Sequence, residues 1–262
     1  MVNDAYPGLS GKTAIVTGGA KGIGAACVQF LAEQGANVAC LDLDKEAGNS
    51  LAATIGPNVM SYGLDVSKSS LVHETVKKVA EDLGSPTLLV NNAGISHYGT
   101  VTETTDQQWD RILDVNLKSY FLCAREVIPY MLSAGKGAIV NVASVQSFMS
   151  QQRVAAYCAS KAGIIGLSRA IAVDHAPTIR CNAICPGTVD TPMLADAIAD
   201  VSDKEAILQE CRDMYLMKRI AEPLEVAQLV AYLLSNLSSF ITGQAIRIDG
   251  GIGLEIGASV RD

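Results

Sequence analysis

Short apolar runs alternate with longer amphipathic segments along most of the chain, and this pattern predicts strands and helices in turn. The predicted strands span residues 13–17, 37–42, 59–64, 87–91, 138–143, 179–184 and 245–249. The predicted helices span residues 23–34, 45–55, 67–83, 105–116, 117–134, 154–175 and 224–234, with Gly35 as a stop and Ser67 as a cap. We therefore predict an α/β fold, with a doubly wound parallel sheet of about seven strands in a single domain over residues 1–262.

One segment interrupts the alternation. Residues 190–217 are polar-mixed and predict an additional helical excursion. Ligands of open parallel sheets bind beyond the carboxyl ends of the strands, and this segment follows a strand directly. We expect it to act as a lid over a substrate.

Composition and charge exclude several classes of partner. The chain has 262 residues, of which 49% are apolar and 23 are glycines, which suits one large core. Its formal net charge of −7, with no basic face, argues against a nucleic-acid partner. The apolar runs are shorter than the roughly 18 residues of a membrane span, and the first ten residues lack the pattern of a secretion signal. These features predict a cytoplasmic protein without a membrane partner.

The seven cysteines predict free thiols rather than disulfides. Their number is odd, and no CxxC pair occurs. Most lie in apolar patterns that indicate burial in a reducing compartment, namely Cys27, Cys40, Cys123, Cys181 and Cys185. For Cys158 a role as a small packing residue is favoured over a redox role. We also predict no catalytic metal, because His, Cys and Asp form no cluster with metal-ligand spacing.

A glycine-rich turn, TGGAKGIG at residues 17–24, follows the first strand and precedes the first helix. Glycines let the backbone approach a pyrophosphate, and the helix N-terminus offers free N–H donors. A glycine cluster alone could be only a tight turn, but its position between strand and helix favours dinucleotide binding. The predicted cofactor contacts from this turn are Gly18, Lys21, Gly22, Ile23 and Gly24.

An acidic residue closes the second predicted strand. Asp42 can accept hydrogen bonds from both ribose hydroxyls and repels a 2′-phosphate, which predicts NAD rather than NADP. Lys21 points the other way, because a basic residue in the glycine turn could bind a 2′-phosphate. We give Asp42 more weight, since a buried carboxylate facing a dianion is costly. Leu43 is the next predicted contact.

The third and fourth strands also end in candidate cofactor residues. Asp65 could cap the following helix, but its place at a strand end favours a bond to the adenine amino group. Val66 lies beside it. The run NNAG at residues 91–94 combines polar side chains that tie neighbouring strands with small residues that leave space. From this run we predict Asn92, Ala93 and Gly94 as cofactor contacts.

Tyr157 and Lys161 are the strongest candidates for chemistry. Residues four apart lie on one face of a helix, about 5–6 Å apart at Cβ. An ammonium there would stabilise the phenolate and lower the tyrosine pKa from its usual value of about 10. A phenol titrating nearer neutrality can exchange a proton with an alcohol or a carbonyl. Ser144, thirteen residues before Tyr157, strengthens the pattern.

Together these motifs resemble the short-chain dehydrogenase/reductase family over nearly the whole chain. The matching elements are TGGAKGIG at 17–24, NNAG at 91–94, Asn116, Ser144, YCASK at 157–161 and PGTVDT at 186–191. The resemblance implies a Rossmann fold, a nicotinamide cofactor, hydride transfer, and a homotetramer or sometimes a dimer. It further implies cofactor contacts from Pro186, Gly187, Val189 and Thr191, with the last two at the nicotinamide carboxamide.

The resemblance also implies a division of labour among four residues. Tyr157 would be the general acid and base. Lys161 would lower its pKa and bind the nicotinamide ribose. Ser144 would hold the substrate oxygen. Asn116, where its helix would bend, would anchor a water molecule that relays protons from Lys161.

The predicted substrate is a small polar molecule. Gln146, next to Ser144, carries two donors and one acceptor that suit vicinal hydroxyls. Ser96, His97 and Thr188 are further candidates. The predicted lining is more polar than that of a steroid or fatty-acyl pocket. The runs SVQS at 144–147 and VDHAPTIRCNAICPGTVDTPM at 173–193 resemble the sugar-oxidising branch of the family. This implies oxidation of a sugar or sugar derivative to its lactone.

Arg153 leaves the charge of the substrate open. As an exposed residue at a helix start it needs no function. Alternatively Arg153, with His97 or Lys218, grips an anionic substituent of the sugar.

Two other functions remain. A 3-oxoacyl carrier-protein or other carbonyl reductase would favour NADPH and a basic docking patch, which Asp42 and the acidic balance oppose. A cofactor-sensing protein without catalysis would not need the intact set of Asn116, Ser144, Tyr157 and Lys161.

Overall fold

The computed structural model describes residues 5–254. Seven parallel strands form one sheet in the order β3-β2-β1-β4-β5-β6-β7. The strands are β1 (Thr13–Thr17), β2 (Asn37–Asp42), β3 (Val59–Gly63), β4 (Pro86–Asn91), β5 (Gly137–Val142), β6 (Ile179–Pro186) and β7 (Ala245–Ile248). The strand order reverses direction between β1 and β4, which places the switch point of the sheet there.

Helices connect the strands and cover both faces of the sheet. They are α1 (Gly22–Glu33), α2 (Lys45–Ile55), α3 (Ser69–Leu83), α4 (Asp106–Leu113), α5 (Ser119–Ser133), α6 (Ala155–His175), α7 (Pro192–Ala197), α8 (Lys204–Asp213) and α9 (Pro223–Leu234). The predicted α/β fold with a doubly wound sheet of seven strands is confirmed. The predicted domain, residues 1–262, extends beyond the described residues at both ends.

Two apolar layers hold the helices on the sheet. On one face, side chains such as Val16 and Val140 pack against Leu31 of α1 and Val230 of α9. On the other face, Leu89 and Ile139 pack against residues of α3 and α5 such as Val76 and Val127. Because both faces are covered, the carboxyl ends of the strands are the open edge where ligands can bind.

The predicted cap of the third helix is wrong. Lys68 is the N-cap of α3, and its side chain makes no capping bond. The Ser67 hydroxyl instead donates to Asp65 at 2.7 Å, because these two residues form a tight polar turn after β3. The helix therefore begins two residues later than predicted, at Ser69.

The two helices predicted over 105–134 are one continuous helical path with a widened turn. A π-helical turn, Asp114–Lys118, joins α4 to α5. Such turns often occur at functional sites because the extra residue redirects a side chain. This one contains Asn116, the residue at which the family resemblance implies a bend.

Across residues 5–254, none of the helices combines the length and the apolar character that a membrane crossing requires.

Candidate active site

The glycine turn between β1 and α1 depends on glycine at two positions. Gly18 has φ +61°, in the left-handed region that favours glycine, and a Cβ there would lie 2.9 Å from the Ala93 Cα. A Cβ at Gly24 would lie only 1.9 Å from the Gly18 carbonyl oxygen. The first turn of α1 can therefore pack against the loop only with glycine at 24.

We expect Gly24→Ala to weaken binding of NADH by roughly tenfold to a hundredfold, because the clash must push the loop away. Fluorescence titration with NADH measures this. Gly166→Ala is the matched control, since no atom lies within 4 Å of a Cβ at that position in α6. The control should bind NADH normally and gain up to about 1 kcal/mol of stability from helix propensity. Equal affinity in both variants would contradict the packing argument.

A cleft of about 480 Å³ opens beyond the carboxyl ends of β1 to β4. It brings together most of the residues predicted to bind the cofactor: Gly18, Lys21, Gly22, Ile23, Asp42, Leu43, Asp65, Val66, Asn92, Ala93, Gly94 and Thr191. Gly24 is not among the lining residues and acts through the packing described above. The cleft lies at the switch point of the sheet, where the fold class places nucleotides.

Asp42 is held in a fixed orientation at the edge of this cleft. Its carboxylate accepts hydrogen bonds from the backbone N–H groups of Ala20 and Asp44, both at 2.9 Å. Lys21, which could favour a 2′-phosphate, instead pairs with Asp44 at 2.7 Å. The Lys21 ammonium is therefore already matched by one carboxylate, and Asp42 leaves the local balance negative.

Asp65 is more constrained than its sequence position indicates. One carboxylate oxygen accepts from the Ser67 backbone N–H and hydroxyl, and the other accepts from Arg111 at 3.2 Å. These hydrogen bonds and the guanidinium charge lower the pKa of Asp65 against the opposing effect of desolvation, which is the largest single influence. Arg111 also lines the cleft. Sequence analysis missed it because α4 is distant in the chain from the strand ends.

Asn92 and Thr17 join the ends of β1 and β4 across the switch point. The Asn92 amide donates to the carbonyl oxygens of Thr17 and Gly18, at 3.1 and 3.0 Å. The Thr17 hydroxyl accepts from the backbone N–H groups of Asn92 and Ala93. The predicted tie between neighbouring strands is confirmed, and it fixes the floor of the cleft.

A second pocket, of about 520 Å³, adjoins the cleft and contains Ser144, Tyr157 and Lys161. Residues that line both spaces include Ile23, Asn92, Gly94, Thr191 and Met193, so the two are neighbours along one path. The predicted residues Gln146, Pro186, Gly187, Thr188 and Val189 also line this pocket. A dinucleotide in the cleft would therefore reach the Tyr157 side of the molecule.

Tyr157 and Lys161 lie side by side on α6, as predicted. The Lys161 ammonium is 5.6 Å from the centroid of the Tyr157 ring and donates a hydrogen bond to the Val142 carbonyl at 2.8 Å. Only 4% of Lys161 is exposed. Burial lowers the pKa of Lys161 to about 8.

The predicted lowering of the tyrosine pKa is wrong. Burial raises the pKa of Tyr157 to about 12, although a hydrogen bond with the Ser144 hydroxyl opposes the shift. The ammonium does not reverse this, because it is directed to the Val142 carbonyl rather than to the phenol. At neutral pH the phenol is therefore protonated and can donate to a substrate oxygen.

Asn116 fixes the backbone next to the NNAG run. Its side chain is fully buried and exchanges two hydrogen bonds with the Ile95 backbone, at 2.8 Å from the N–H and 2.9 Å to the carbonyl. It also donates to the Ser160 hydroxyl at 3.2 Å. Through Asn116, the π-helical turn after α4 is thus connected to α6 and to the segment that follows β4. The relay of protons through Asn116 remains a prediction.

Three residues predicted to bind substrate lie outside the lining of the Tyr157 pocket. Arg153 pairs with Glu103 at 3.1 Å, so its guanidinium is already matched by a carboxylate. Ser96 lines the cofactor cleft instead. His97 packs beside Gly99, with its Nε2 atom 3.1 Å from where a Cβ would stand. Lys218, the other candidate anion ligand, donates to the Asp213 carbonyl at 3.0 Å.

The pocket is more apolar than the sequence predicts. Gln146, Ser150 and Gln151 supply polar groups. Several apolar side chains from the 190–217 segment and from other loops complete the lining: Met149, Met193, Leu194, Met214 and Ile252. Met149 and Met214 lie outside helices and Met193 lies in a helix of only six residues, so no periodic signal could assign them. Within residues 5–254, no group of three or more His, Cys, Asp or Glu is arranged to hold a metal ion.

A parallel sheet with a glycine turn at its switch point, joined to a pocket that contains a Ser-Tyr-Lys set, defines a nicotinamide-dependent oxidoreductase of the short-chain type. A family model described as enoyl-(acyl carrier protein) reductase matches residues 18–253. The chain therefore belongs to the short-chain dehydrogenase/reductase family, whose members use nicotinamide cofactors.

Similar proteins carry out different reactions. A 3-oxoacyl-[acyl-carrier-protein] reductase of Thermotoga maritima is 37% identical over 252 residues, which cover 93% of this chain and 98% of that protein. The 2-(S)-hydroxypropyl-CoM dehydrogenase 3 of Xanthobacter autotrophicus is 34% identical, with coverage of 93% and 97%.

A solved structure shows the same fold over nearly the whole chain. The ligand-free aldohexose dehydrogenase of Thermoplasma acidophilum superposes with a TM-score of 0.91 at 36% identity, covering 98% of this chain and 100% of that one.

Proposed function

We propose that this protein is an NAD-dependent dehydrogenase that oxidises a hydroxyl group of a sugar or sugar derivative, giving a lactone when the hydroxyl is anomeric. The observation that carries the proposal is the continuity of the Asp42 cleft with the Tyr157 pocket. The structural similarity to an aldohexose dehydrogenase supports the sugar assignment. A bound nicotinamide supplies the chemistry of hydride transfer, and the chain supplies position and proton exchange.

The proposed roles follow from the positions of three side chains. Ser144 is buried, and its hydroxyl accepts from the Gln146 backbone N–H at 3.1 Å, so it is held at the pocket floor. There it would bind the substrate oxygen. Tyr157 exchanges a proton with that oxygen. Lys161 places a positive charge close to the Tyr157 ring. In oxidation the phenolate form of Tyr157 accepts the proton of the substrate hydroxyl, and because the phenol is protonated at neutral pH, the fraction in this form rises with pH.

The 190–217 segment is proposed to be a lid. Neither α7 nor α8, both inside the described range, has a fully buried residue. Met193, Leu194 and Met214 from the same segment nevertheless line the substrate pocket. Helices with so little buried surface can move at low free-energy cost, which suits entry of substrate and cofactor, while Tyr215 near the end of the segment is buried and stays in place.

We expect Asp42→Ser to lower kcat/KM for NAD by roughly tenfold, because a charged hydrogen-bond acceptor for the ribose is lost. The ratio of kcat/KM for NADP to that for NAD should rise by more than this, since repulsion of a 2′-phosphate also disappears. Steady-state kinetics with both cofactors measure the ratio. Glu46→Gln is the matched control, because it removes an exposed negative charge in α2 outside the cleft. Wild-type preference for NADP would contradict the assignment of NAD.

The substrate class is tested by NADH formation with a panel of aldoses, uronic acids and apolar alcohols. Gln146, Ser150 and Gln151 support polar, uncharged substrates. We expect the neutral aldoses to give the highest kcat/KM. Flat activity across the aldoses, with rapid oxidation of an apolar alcohol, would refute the sugar assignment.

A second candidate is reduction of a 3-oxoacyl thioester. It is favoured by the similarity to the Thermotoga maritima reductase, and the methionine side of the pocket would accommodate an acyl chain. NADPH-dependent reduction of an acetoacetyl thioester faster than any aldose is oxidised would establish it instead. Absence of turnover with tight NADH binding would favour the cofactor-sensing alternative.

Assembly and compartment are also proposals. All seven cysteines are free, which supports a reducing compartment such as the cytoplasm. Phe240 is fully exposed and Val173 is 80% exposed, which is apolar surface that a homotetramer would cover. Light scattering of the purified protein measures the assembly.

A further inference from the structure

The substrate pocket ends at the side chain of Tyr215. Tyr215 lines both this pocket and a second cavity of about 180 Å³. Only 4% of Tyr215 is exposed. Gly187 and Thr188 also line both spaces, so the two cavities are neighbours at the end of β6.

Two hydrogen bonds fix the Tyr215 hydroxyl. It accepts from the Thr188 backbone N–H at 2.7 Å and donates to the Thr188 hydroxyl at 2.6 Å. Both bonds join the end of the 190–217 segment to the residue that follows Gly187. The phenol therefore cannot leave the wall without breaking two short hydrogen bonds.

Two glycines clamp the ring from the sides. A Cβ at Gly187 would lie 2.9 Å from the Tyr215 Cε1 atom, and a Cβ at Gly250 would lie 3.3 Å from its Cβ. The ring thus fills space that only glycine neighbours leave open. The two hydrogen bonds of the hydroxyl and this close fit beside the glycines make the side chain a rigid wall.

The cavity behind the wall is lined mainly by apolar surface, and the charged groups that reach it are paired with opposite charges. Arg219 forms a bidentate ion pair with Glu225, at 2.7 and 2.6 Å, and both line the cavity. Asp249, a further lining residue, pairs with Arg247. Such a space suits an uncharged substituent rather than an ionic one.

We propose that Tyr215 is a specificity-determining residue that sets the depth of the substrate pocket. In the wild type the ring excludes substrates with a substituent directed away from Tyr157. With a smaller side chain at 215 the pocket joins the second cavity and accepts an uncharged extension. The proposal rests on the proposed function only in placing the substrate beside Tyr157.

The test compares matched pairs of substrates in three variants. Each pair is an alcohol that the wild type oxidises and the same alcohol with a methyl or glycosyl extension. In Tyr215→Ala and Tyr215→Leu, the ratio of kcat/KM for the extended to the unextended member should rise by roughly tenfold or more. In Tyr215→Phe, which keeps the ring and loses the hydroxyl, the ratio should stay near that of the wild type.

Two further readouts keep the result clear. The Leu variant is the alternative if the Ala variant does not fold, and its crystal structure should show one continuous cavity. Unchanged ratios in every folded variant, or separate cavities in the Leu variant, would overturn the proposal. If the wild type oxidises no sugar, the proposed function fails. The Tyr215 proposal is then tested by measuring the same ratios with other alcohols that the wild type oxidises. If it oxidises none, the structure of the Leu variant decides.

Discussion

Tyr157→Phe is expected to lower kcat at least about a hundredfold, the lower end of the effect of a lost acid–base group. The substitution removes one hydroxyl and keeps the ring, so binding of NADH should change little. In the wild type, oxidation should speed up as pH rises. Burial holds the pKa of Tyr157 near 12, and the phenol must lose its own proton before it can accept one from the substrate hydroxyl. This part of the pH dependence should disappear in the variant.

Stopped-flow measurement of NADH formation separates the chemical step from product release. Tyr130→Phe is the matched control, since Tyr130 lies half-buried in α5 outside both pockets. It should keep wild-type rates. Near-wild-type turnover by Tyr157→Phe would show that another group exchanges the proton.

Lys161→Met is expected to lower kcat/KM at least about a hundredfold without lowering the stability of the fold. The Val142 carbonyl oxygen loses the hydrogen bond from Lys161 in this variant. It keeps a hydrogen bond from the Tyr120 hydroxyl at 3.0 Å, so it is not left without a partner. Methionine fills a similar volume without an ammonium. The shift of the lysine pKa from 10.5 to about 8 means that burial of the charged lysine costs roughly 3 kcal/mol of folding free energy. We therefore expect unchanged or increased free energy of unfolding at neutral pH.

The contribution of Lys161 to the free energy of unfolding should also change with pH. Between pH 8 and 10.5 the unfolded lysine binds more protons than the folded one, so wild-type stability contributed by Lys161 rises across that window. Below pH 8 both states are charged and the cost of burial is fully present. The rise should be absent in Lys161→Met and present in Lys77→Met, which changes an exposed residue of α3. Urea denaturation across the window measures it, and a less stable Lys161→Met at neutral pH would contradict the argument.

The fold and the cofactor cleft could be predicted because each rests on local patterns. Apolar strands such as 13–17 and 37–42 are continuous, and the glycine turn is contiguous in sequence. Parallel strands bring their carboxyl ends to one edge, so Asp42 and Asn92 had to meet there. Arg111 was missed because it reaches the same edge from a helix, through an ion pair with Asp65 that no spacing indicates.

The substrate side was predicted less well for a physical reason. Its walls come from loops, where side-chain direction depends on tertiary contacts rather than on a period. Arg153 and His97 precede helices or follow strands at suitable positions, yet their side chains make other contacts. Tyr215 lies at the end of an excursion and reaches the pocket through the Thr188 hydrogen bonds. The pKa of Tyr157 was missed because helical spacing says nothing about the balance between burial and charge.

A crystal structure of the protein with NAD tests the central claim most directly. The account predicts that the adenosine ribose hydroxyls bond to Asp42 and that the nicotinamide ring lies between Thr191 and the Tyr157 hydroxyl. A dinucleotide bound elsewhere, or a Tyr157 hydroxyl turned away from the nicotinamide and Ser144, would contradict it.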